Sequence, residues 1–360
     1  MQLTRKKKPT EVTGLDIEAG SIAATEIRAN GTVQVVGSAV APLAPGVFHD
    51  GEVVDPAALA TSLKDLFAKH KLSKRVRLGI GNQQVLVRTL RLPAIEDPKE
   101  MEAAVRFQAQ EQIPMPLDQA VLEHQVVGGT PAEEGAMPQL DVVVVAARRD
   151  MITSFLEPLR RAGLEPVAID LSAFGMIRAL ADQAIPPEAL EAGERPQEAT
   201  LYCNVGDVAN LAVARGRSCL FTRVSTAGME PICERLVATR GLTVEHAGQW
   251  LHYVGLERPI AEIEGDPETV AEARAALEDG VGALLDEMRR SLDYYGAQEG
   301  ALPVSRILLS GSGSAIPGLA GRIQERLGSQ IDLVRPPALA GLDDAAAARL
   351  TLSYGLGLDA

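Results

Sequence analysis

The sequence predicts an α/β protein made of two related halves. The first observation behind this prediction is a meander of three strands near the N-terminus that returns in the middle of the chain. The second is a series of amphipathic helices that separates and follows the two meanders. With 360 residues, the chain is long enough for about two or three domains with real hydrophobic cores. Because 46% of the residues are hydrophobic and only 3% are aromatic, we expect aliphatic cores.

The six predicted strands are short runs of aliphatic and β-branched residues bounded by turn residues. They are Val12–Ile17, Ile22–Arg28, Val33–Val40, Thr200–Val205, Asn210–Ala214 and Cys219–Val224. Gly20 and Gly206 lie in the first turn of each meander, and Asn30-Gly31 favours a tight second turn because both residues tolerate positive φ. The shared order of strands and glycine turns indicates a structural duplication.

Capping residues and apolar stripes predict the helices. Asp55 and Asp97 each precede a proline, which combines an N-cap with a favourable first helical position. An apolar stripe with spacings of three and four residues runs from Glu268 to Tyr295 and predicts one long helix. Two segments rich in turn residues, 128–139 and 182–198, are predicted to be loops.

Composition excludes several classes of function. Lys+Arg 35 against Asp+Glu 48 gives a net charge of −13, which argues against a nucleic-acid partner. The longest apolar run, Val142–Ala147, is too short to span a membrane, and no secretory signal follows Met1. The cysteines, Cys203, Cys219 and Cys233, suit a reducing compartment. The five histidines are scattered without metal-ligand spacing. We therefore expect a cytoplasmic protein.

Three turns that contain glycine and follow strands are candidates for nucleotide binding, because backbone N–H groups in such turns attract anions. Each turn alone is a weak signal, but their order along the chain is a stronger one. The candidate nucleotide-binding residues are Asp16, Glu18, Ala19, Gly20, Ser21, Asn204, Gly206, Asp207, Asn210, Gly228, Gly311, Ser312, Gly313, Ser314 and Pro317.

This order of turns resembles the actin-like ATPase superfamily and, within it, the PilM family of type IV pilus assembly proteins, which is related to FtsA. Gly14-Leu15-Asp16-Ile17 followed by Ser21 is similar to the first phosphate hairpin of that family. Gln112–Asp118 is similar to part of its inserted subdomain, called 1C. The likeness covers about residues 12–358. It implies an α/β, actin-like (ribonuclease H-like) duplicated fold of two half-domains with an inserted 1C-type subdomain.

The resemblance also implies a division of the chain. The expected segments are a disordered basic N-terminus (1–11), the first half (12–92), the inserted subdomain (93–167), the first half continued with a linker (168–198), the second half (199–335, mainly helical over 229–298) and a return to the first half (336–360).

Several residues depart from the family's nucleotide site. Glu18 stands where the family has glycine, and Ala23 stands where it has lysine. Asn204 and Asn210 replace the usual aspartate and threonine. Asp16 is the one magnesium-side carboxylate that remains, and phosphoryl transfer depends on such charges. We therefore expect a degenerate site that binds ATP and magnesium weakly or not at all, and we assign no catalytic residues.

The family resemblance implies a scaffold of the pilus assembly platform. Such a protein holds the cytoplasmic N-terminal peptide of a PilN-like membrane protein in a groove between the first half and the 1C subdomain. It reaches the inner membrane through that partner, contacts other platform proteins and can form homo-oligomers. The candidate groove residues are Met101, Val105, Gln112, Ile113, Pro114, Pro116 and Leu117.

Two other functions stay open. An active actin-like ATPase or small-molecule kinase would be favoured by phosphate-side charges, which this sequence lacks. An FtsA-like polymer-forming division scaffold would normally carry a C-terminal amphipathic membrane helix. The sequence ends at Leu358-Asp359-Ala360, so we expect no such helix.

Overall fold

The computed structural model describes residues 10–29, 32–130, 138–184 and 197–358. Four predictions fall wholly or partly outside the described residues. They are the tight turn at Asn30-Gly31, most of the basic N-terminal segment, the middle of the loop at 131–137 and the middle of the linker at 185–196. Within the described residues, no helix is long and apolar enough to cross a membrane.

The strands, in chain order, are β1 Thr10–Ile17, β2 Ser21–Ala29, β3 Val33–Pro42, β4 Phe48–His49, β5 Glu52–Val53, β6 Arg75–Ile80, β7 Leu86–Pro93, β8 Ala120–Thr130, β9 Gln139–Arg148, β10 Glu165–Leu171, β11 Ala199–Val205, β12 Ala209–Arg215, β13 Ser218–Ser225, β14 Val304–Ser310 and β15 Gln330–Leu333. The α-helices are α1 Pro56–His70, α2 Pro98–Gln112, α3 Arg149–Arg161, α4 Ser172–Ala184, α5 Glu230–Arg240, α6 Val244–Val254, α7 Pro267–Gly296, α8 Leu319–Leu327 and α9 Asp344–Gly357. Both meanders and the long helix are therefore confirmed.

The two large sheets repeat one topology. The strand order is β10-β6-β1-β2-β3 in the first sheet and β15-β14-β11-β12-β13 in the second. In each sheet the antiparallel meander is extended on one side by two parallel strands. A third, antiparallel sheet has the order β7-β9-β8. The same connection of strands in both large sheets gives the duplicated architecture that the sequence predicts.

Helices cover both faces of the two large sheets. Side chains from α1 and α3 pack on one face of the first sheet, and α5 to α8 cover the outer face of the second. The remaining helices, α4 and α9, lie between the sheets, where α4 packs against buried side chains of the second sheet and α9 contacts β1 and β2. The backbones of α9 and β1 meet at Gly14, where an added Cβ would lie 1.9 Å from the Ser353 carbonyl oxygen.

The helix starts follow from the sequence. The carboxylate of Asp55 accepts hydrogen bonds from the N–H groups of Ala57 and Ala58, both at 3.0 Å. Asp97 caps α2 in the same way. One expectation was wrong at its ends: a loop is predicted over 128–139, but β8 continues to Thr130 and β9 begins at Gln139. The part of this loop at 131–137 lies outside the described residues. Pairing with Gln139 and Leu140 on β9 supplies the backbone hydrogen bonds that extend the strand.

Candidate functional site

The turns of the two strand hairpins meet in the cleft between the halves. The first turn follows β1, and the second follows β11. The backbone N–H of Gly20 donates a hydrogen bond to Oδ2 of Asp207 at 3.1 Å, and the amide of Ala19 also stabilises this carboxylate. A turn whose N–H groups could attract an anion thus binds a carboxylate of the protein itself.

A buried arginine fills the other side of this cleft. Arg349, on α9, forms an ion pair with Asp16 in which only 8% and 5% of the two side chains are exposed. Its Nε also lies 3.1 Å from Glu18 Oε2. The same guanidinium donates hydrogen bonds to Ser21, to Oγ at 2.7 Å and to the carbonyl oxygen at 2.9 Å. Three predicted site residues, Asp16, Glu18 and Ser21, are therefore gathered around this one side chain.

Acidic groups outnumber basic groups in this cleft. One guanidinium faces the carboxyl groups of Asp16, Glu18 and Asp207. Burial raises the pKa of Glu18 to about 8, against the opposing pull of Arg349, and Asp207 and Asp16 raise it further. Burial likewise raises the pKa of Asp207. A single cation faces three carboxyl groups in a largely buried cleft, and this imbalance favours the protonated form of Glu18 near neutral pH.

In this arrangement the site does not fit a magnesium triphosphate. Asp16 is paired with a guanidinium, which would repel a metal ion. The N–H group of Gly20, suited to a phosphate oxygen, is bonded to Asp207. The cavity that remains beside these groups has a volume of about 20 Å³, which is room for about one water molecule.

The strands of the second hairpin contribute two asparagines to the site, beside the charged Asp207 of its turn. Asn204 donates from Nδ2 to Ser310 Oγ at 3.3 Å. Within the described part of the chain, Oδ1 of Asn204 and Oδ1 of Asn210 are buried without a hydrogen-bond partner. Gly206 lies so close to Glu18 that an added Cβ would be 2.1 Å from its Oε1. The hairpins therefore pack directly against each other.

The late glycine turn is bonded to its own neighbours. Gly311 has φ +86°, and Ser314 Oγ donates to its carbonyl oxygen at 2.7 Å. Gly313 packs against Met229, whose Sδ would lie 2.9 Å from an added Cβ. The Pro317 carbonyl accepts a hydrogen bond from Leu256. The two other predicted residues of this region are Ser312, which is half-buried at the start of a short 3-10 turn, and Gly228, which packs on the backbone of Asp207.

Sequence reasoning missed Arg349. Its role depends on contacts with residues more than 300 positions earlier in the chain. One signal was present, because Arg349 is a lone basic residue in the apolar run Ala345–Leu352. A buried arginine in such a helix requires an acidic partner.

The predicted groove residues divide into buried and exposed sets. Met101, Val105 and Ile113 pack into the core beneath the third sheet. Gln112, Pro114 and Pro116 are exposed, and Leu117 is half-buried. A groove of about 390 Å³ opens beside the exposed set, lined by Gln84, Leu86, Pro114, Met115, Pro116, Gln119 and Arg148.

A second groove of about 550 Å³ runs between β7 and β13. Leu86 lines both grooves. Within the described residues, β7 and β13 each pair with a neighbouring strand on one side only. β7 therefore presents an open edge beside both grooves, and β13 presents one beside the second groove.

The duplicated sheets with helices between them define the class of protein, which is the actin-like ATPase fold. EutJ from Carboxydothermus hydrogenoformans, an ethanolamine utilization protein, matches with a TM-score of 0.52 at 14% identity over 98% of this chain and 92% of its own. MreB 5 of Spiroplasma citri bound to AMPPNP matches with a TM-score of 0.50 at 12% identity over 97% and 95%. At these identities the likeness concerns the fold alone.

Two further comparisons identify the family. A structure of a PilM-PilN type IV pilus biogenesis complex matches with a TM-score of 0.78 at 28% identity over 97% of this chain and 98% of its own. The family model for type IV pilus assembly protein PilM matches residues 14–352. The chain therefore belongs to the PilM family of type IV pilus assembly proteins.

Proposed function

We propose that this chain is a cytoplasmic scaffold of the type IV pilus platform that binds the N-terminal peptide of a PilN-like membrane protein. The match to a PilM-PilN complex over 97% of the chain carries this proposal. Through this partner the chain is held at the inner membrane, where it contacts other platform proteins.

The groove beside Met115 is the proposed peptide site. It lies where β7, the segment after α2 and the end of β9 meet. An extended peptide gains affinity from backbone pairing along an open strand edge and from pockets for alternate side chains. The free edge of β7 is available for backbone pairing. The half-buried Met115 and Leu86 offer apolar contacts to the side chains of the peptide.

A matched pair of variants tests the groove. Met115→Asp places a charge in it, whereas Val126→Asp makes a similar change on β8, the opposite edge of the same sheet, where Val126 is exposed. In titrations with the cytoplasmic peptide of the partner, we expect Met115→Asp to weaken binding by roughly tenfold, about 1.4 kcal/mol. Val126→Asp is expected to leave the affinity within about twofold of the original. If both variants are folded and change the affinity for the peptide equally, the groove beside Met115 is not the peptide site.

We also propose that the nucleotide site is degenerate. Two contacts support this proposal. Arg349 lies where a magnesium ion would approach Asp16, and Asp207 accepts the hydrogen bond from Gly20 N–H that a phosphate oxygen would accept. Magnesium would have to displace the like-charged guanidinium of Arg349 from Asp16, and phosphate would have to displace the like-charged carboxylate of Asp207 from the Gly20 N–H. Breaking such paired contacts is costly. The scaffold role therefore needs no nucleotide.

Measurements of ATP hydrolysis separate this proposal from an active ATPase or kinase. The purified chain is expected to release phosphate no faster than the Asp16→Ala variant. A rate typical of an active ATPase that disappears with Asp16→Ala would contradict the degenerate site.

A further inference from the structure

A second cluster of polar side chains bridges the two halves beside the nucleotide cleft. His49 ends β4 in the first half, and Glu230 and Glu234 lie four residues apart on α5 in the second. His49 Nδ1 lies 2.7 Å from Glu230 Oε1 and 3.7 Å from Glu234 Oε1. One ligand atom from each residue falls within 4.8 Å of the others. We propose that these three side chains form a site for a divalent transition metal of the zinc class.

The distances suit such an ion. Zinc binds histidine nitrogen and carboxylate oxygen at about 2.0–2.2 Å, so neighbouring ligand atoms in a tetrahedral site lie about 3.4 Å apart. The two separations from Nδ1, 2.7 and 3.7 Å, bracket this value. Small rotations of side chains open enough room, because His49 and Glu234 are 49% and 57% exposed. One imidazole with two carboxylates leaves a fourth position for water.

Groups outside the three ligands orient them. Oδ2 of Asp50 lies 3.4 Å from His49 Nε2. A carboxylate that accepts a hydrogen bond from the second ring nitrogen is the usual support of a metal-bound histidine. Asp50 lies at ion-pair distance from that nitrogen, and a small side-chain rotation would bring it to hydrogen-bond distance. The backbone N–H of Asp50 donates to Glu230 Oε2 at 3.2 Å and directs the other oxygen towards His49. The support for the imidazole thus comes from a residue that is not itself one of the ligands.

The local charge also favours a cation. Among the described residues, no lysine or arginine forms an ion pair with Asp50, Glu230 or Glu234. The Glu230 side chain is only 8% exposed. A divalent ion would replace the proton that His49 Nδ1 shares with Glu230 Oε1 in their hydrogen bond, and it would link β4 to α5. Its expected effect is to hold the two halves together independently of any nucleotide.

Zinc titration tests the site in the full chain. The wild-type protein is expected to bind one Zn²⁺ by calorimetry, and bound Co²⁺ is expected to give the visible spectrum of a nitrogen and oxygen site. His49→Ala and Glu234→Gln each remove one ligand at a partly exposed position, so both variants should fold. Each is expected to weaken binding by roughly tenfold or more. His124→Ala, an exposed histidine on β8, serves as the matched control and is expected to bind like the wild type.

A second readout measures the link between the halves. Zinc is expected to raise the thermal unfolding temperature of the wild type and of His124→Ala, because a ligand that binds only the folded state stabilises it. It should not raise that of His49→Ala. Binding that is equally strong in all four proteins, or no saturable binding by the wild type, would overturn the proposed site without affecting the groove or the nucleotide cleft.

Discussion

Replacing Arg349 with methionine tests the buried charge cluster most sharply. Methionine retains much of the length and apolar volume of the side chain but removes the guanidinium. Asp16 then loses its ion pair, and Ser21 loses the donors to Oγ and to its carbonyl oxygen. The variant leaves uncompensated carboxyl groups in a cleft that has room for about one water molecule.

The cost follows from the burial of the pair. Removing one partner of a buried ion pair typically costs about 3–5 kcal/mol, because the remaining charge is left without compensation. Arg349 and Asp16 are 8% and 5% exposed, so solvent screens them little. We therefore expect Arg349→Met to lower the free energy of unfolding by about 3–5 kcal/mol at pH 7.5.

Urea unfolding followed by circular dichroism measures this change. The control is Arg217→Met, which breaks the pair between Arg217 and Asp182, where the side chains are 67% and 60% exposed. Exposed pairs contribute about 0–1 kcal/mol, so the control should change stability by no more than this. If Arg349→Met cost as little as Arg217→Met, the guanidinium would not be compensating the buried acids.

Three other substitutions are expected to change stability in a stated direction. Burial raises the pKa of Glu18 in the folded protein from its ordinary 4.5 to about 8. Between these pH values the folded state therefore holds a proton that the unfolded state has released. The contribution of protonated Glu18 to stability is complete below pH 4.5. Above this pH the free energy of unfolding falls by up to about 1.4 kcal/mol per pH unit. Urea unfolding of Glu18→Gln from pH 4.5 to 8 should show a flatter dependence than the wild type, and an unchanged slope would contradict this assignment. Gly14→Ala should lower the free energy of unfolding by about 1–3 kcal/mol, because the added Cβ would overlap the backbone of α9. Gly282→Ala, in a helix with open space, should stabilise it by up to about 1 kcal/mol, and a loss of stability in Gly282→Ala with none in Gly14→Ala would show that the close contact is absent.

The fold could be predicted because its signals are local. The meander strands are bounded by turn residues, and the long helix shows its apolar stripe directly. The burial of Met101 and Val105 could also be predicted from the sequence, since their spacing of four residues on α2 puts both on one apolar face. That periodicity indicated a core position more directly than a groove position.

The chemistry of the cleft could be predicted only in part. Glu18 in a phosphate turn and the loss of nearby charges pointed to a changed site. What replaces the phosphate depends on packing between distant parts of the chain: Asp207 reaches Gly20 across the cleft, and Arg349 arrives from α9. His49 and Glu230, 181 residues apart, likewise meet only in the folded protein. A local pattern can indicate that a buried charge needs a partner, as at Arg349, but it does not identify which distant residue that partner is.

The most direct test of a scaffold that works without nucleotide is the affinity for the PilN-like peptide measured with and without ATP and magnesium. Isothermal titration of the full chain with the partner's cytoplasmic N-terminal peptide, done once in each condition, gives the two dissociation constants. We expect saturable binding of the peptide with the same dissociation constant in both conditions. Binding that appears only when ATP and magnesium are present, and is lost in Asp16→Ala, would contradict the central claim.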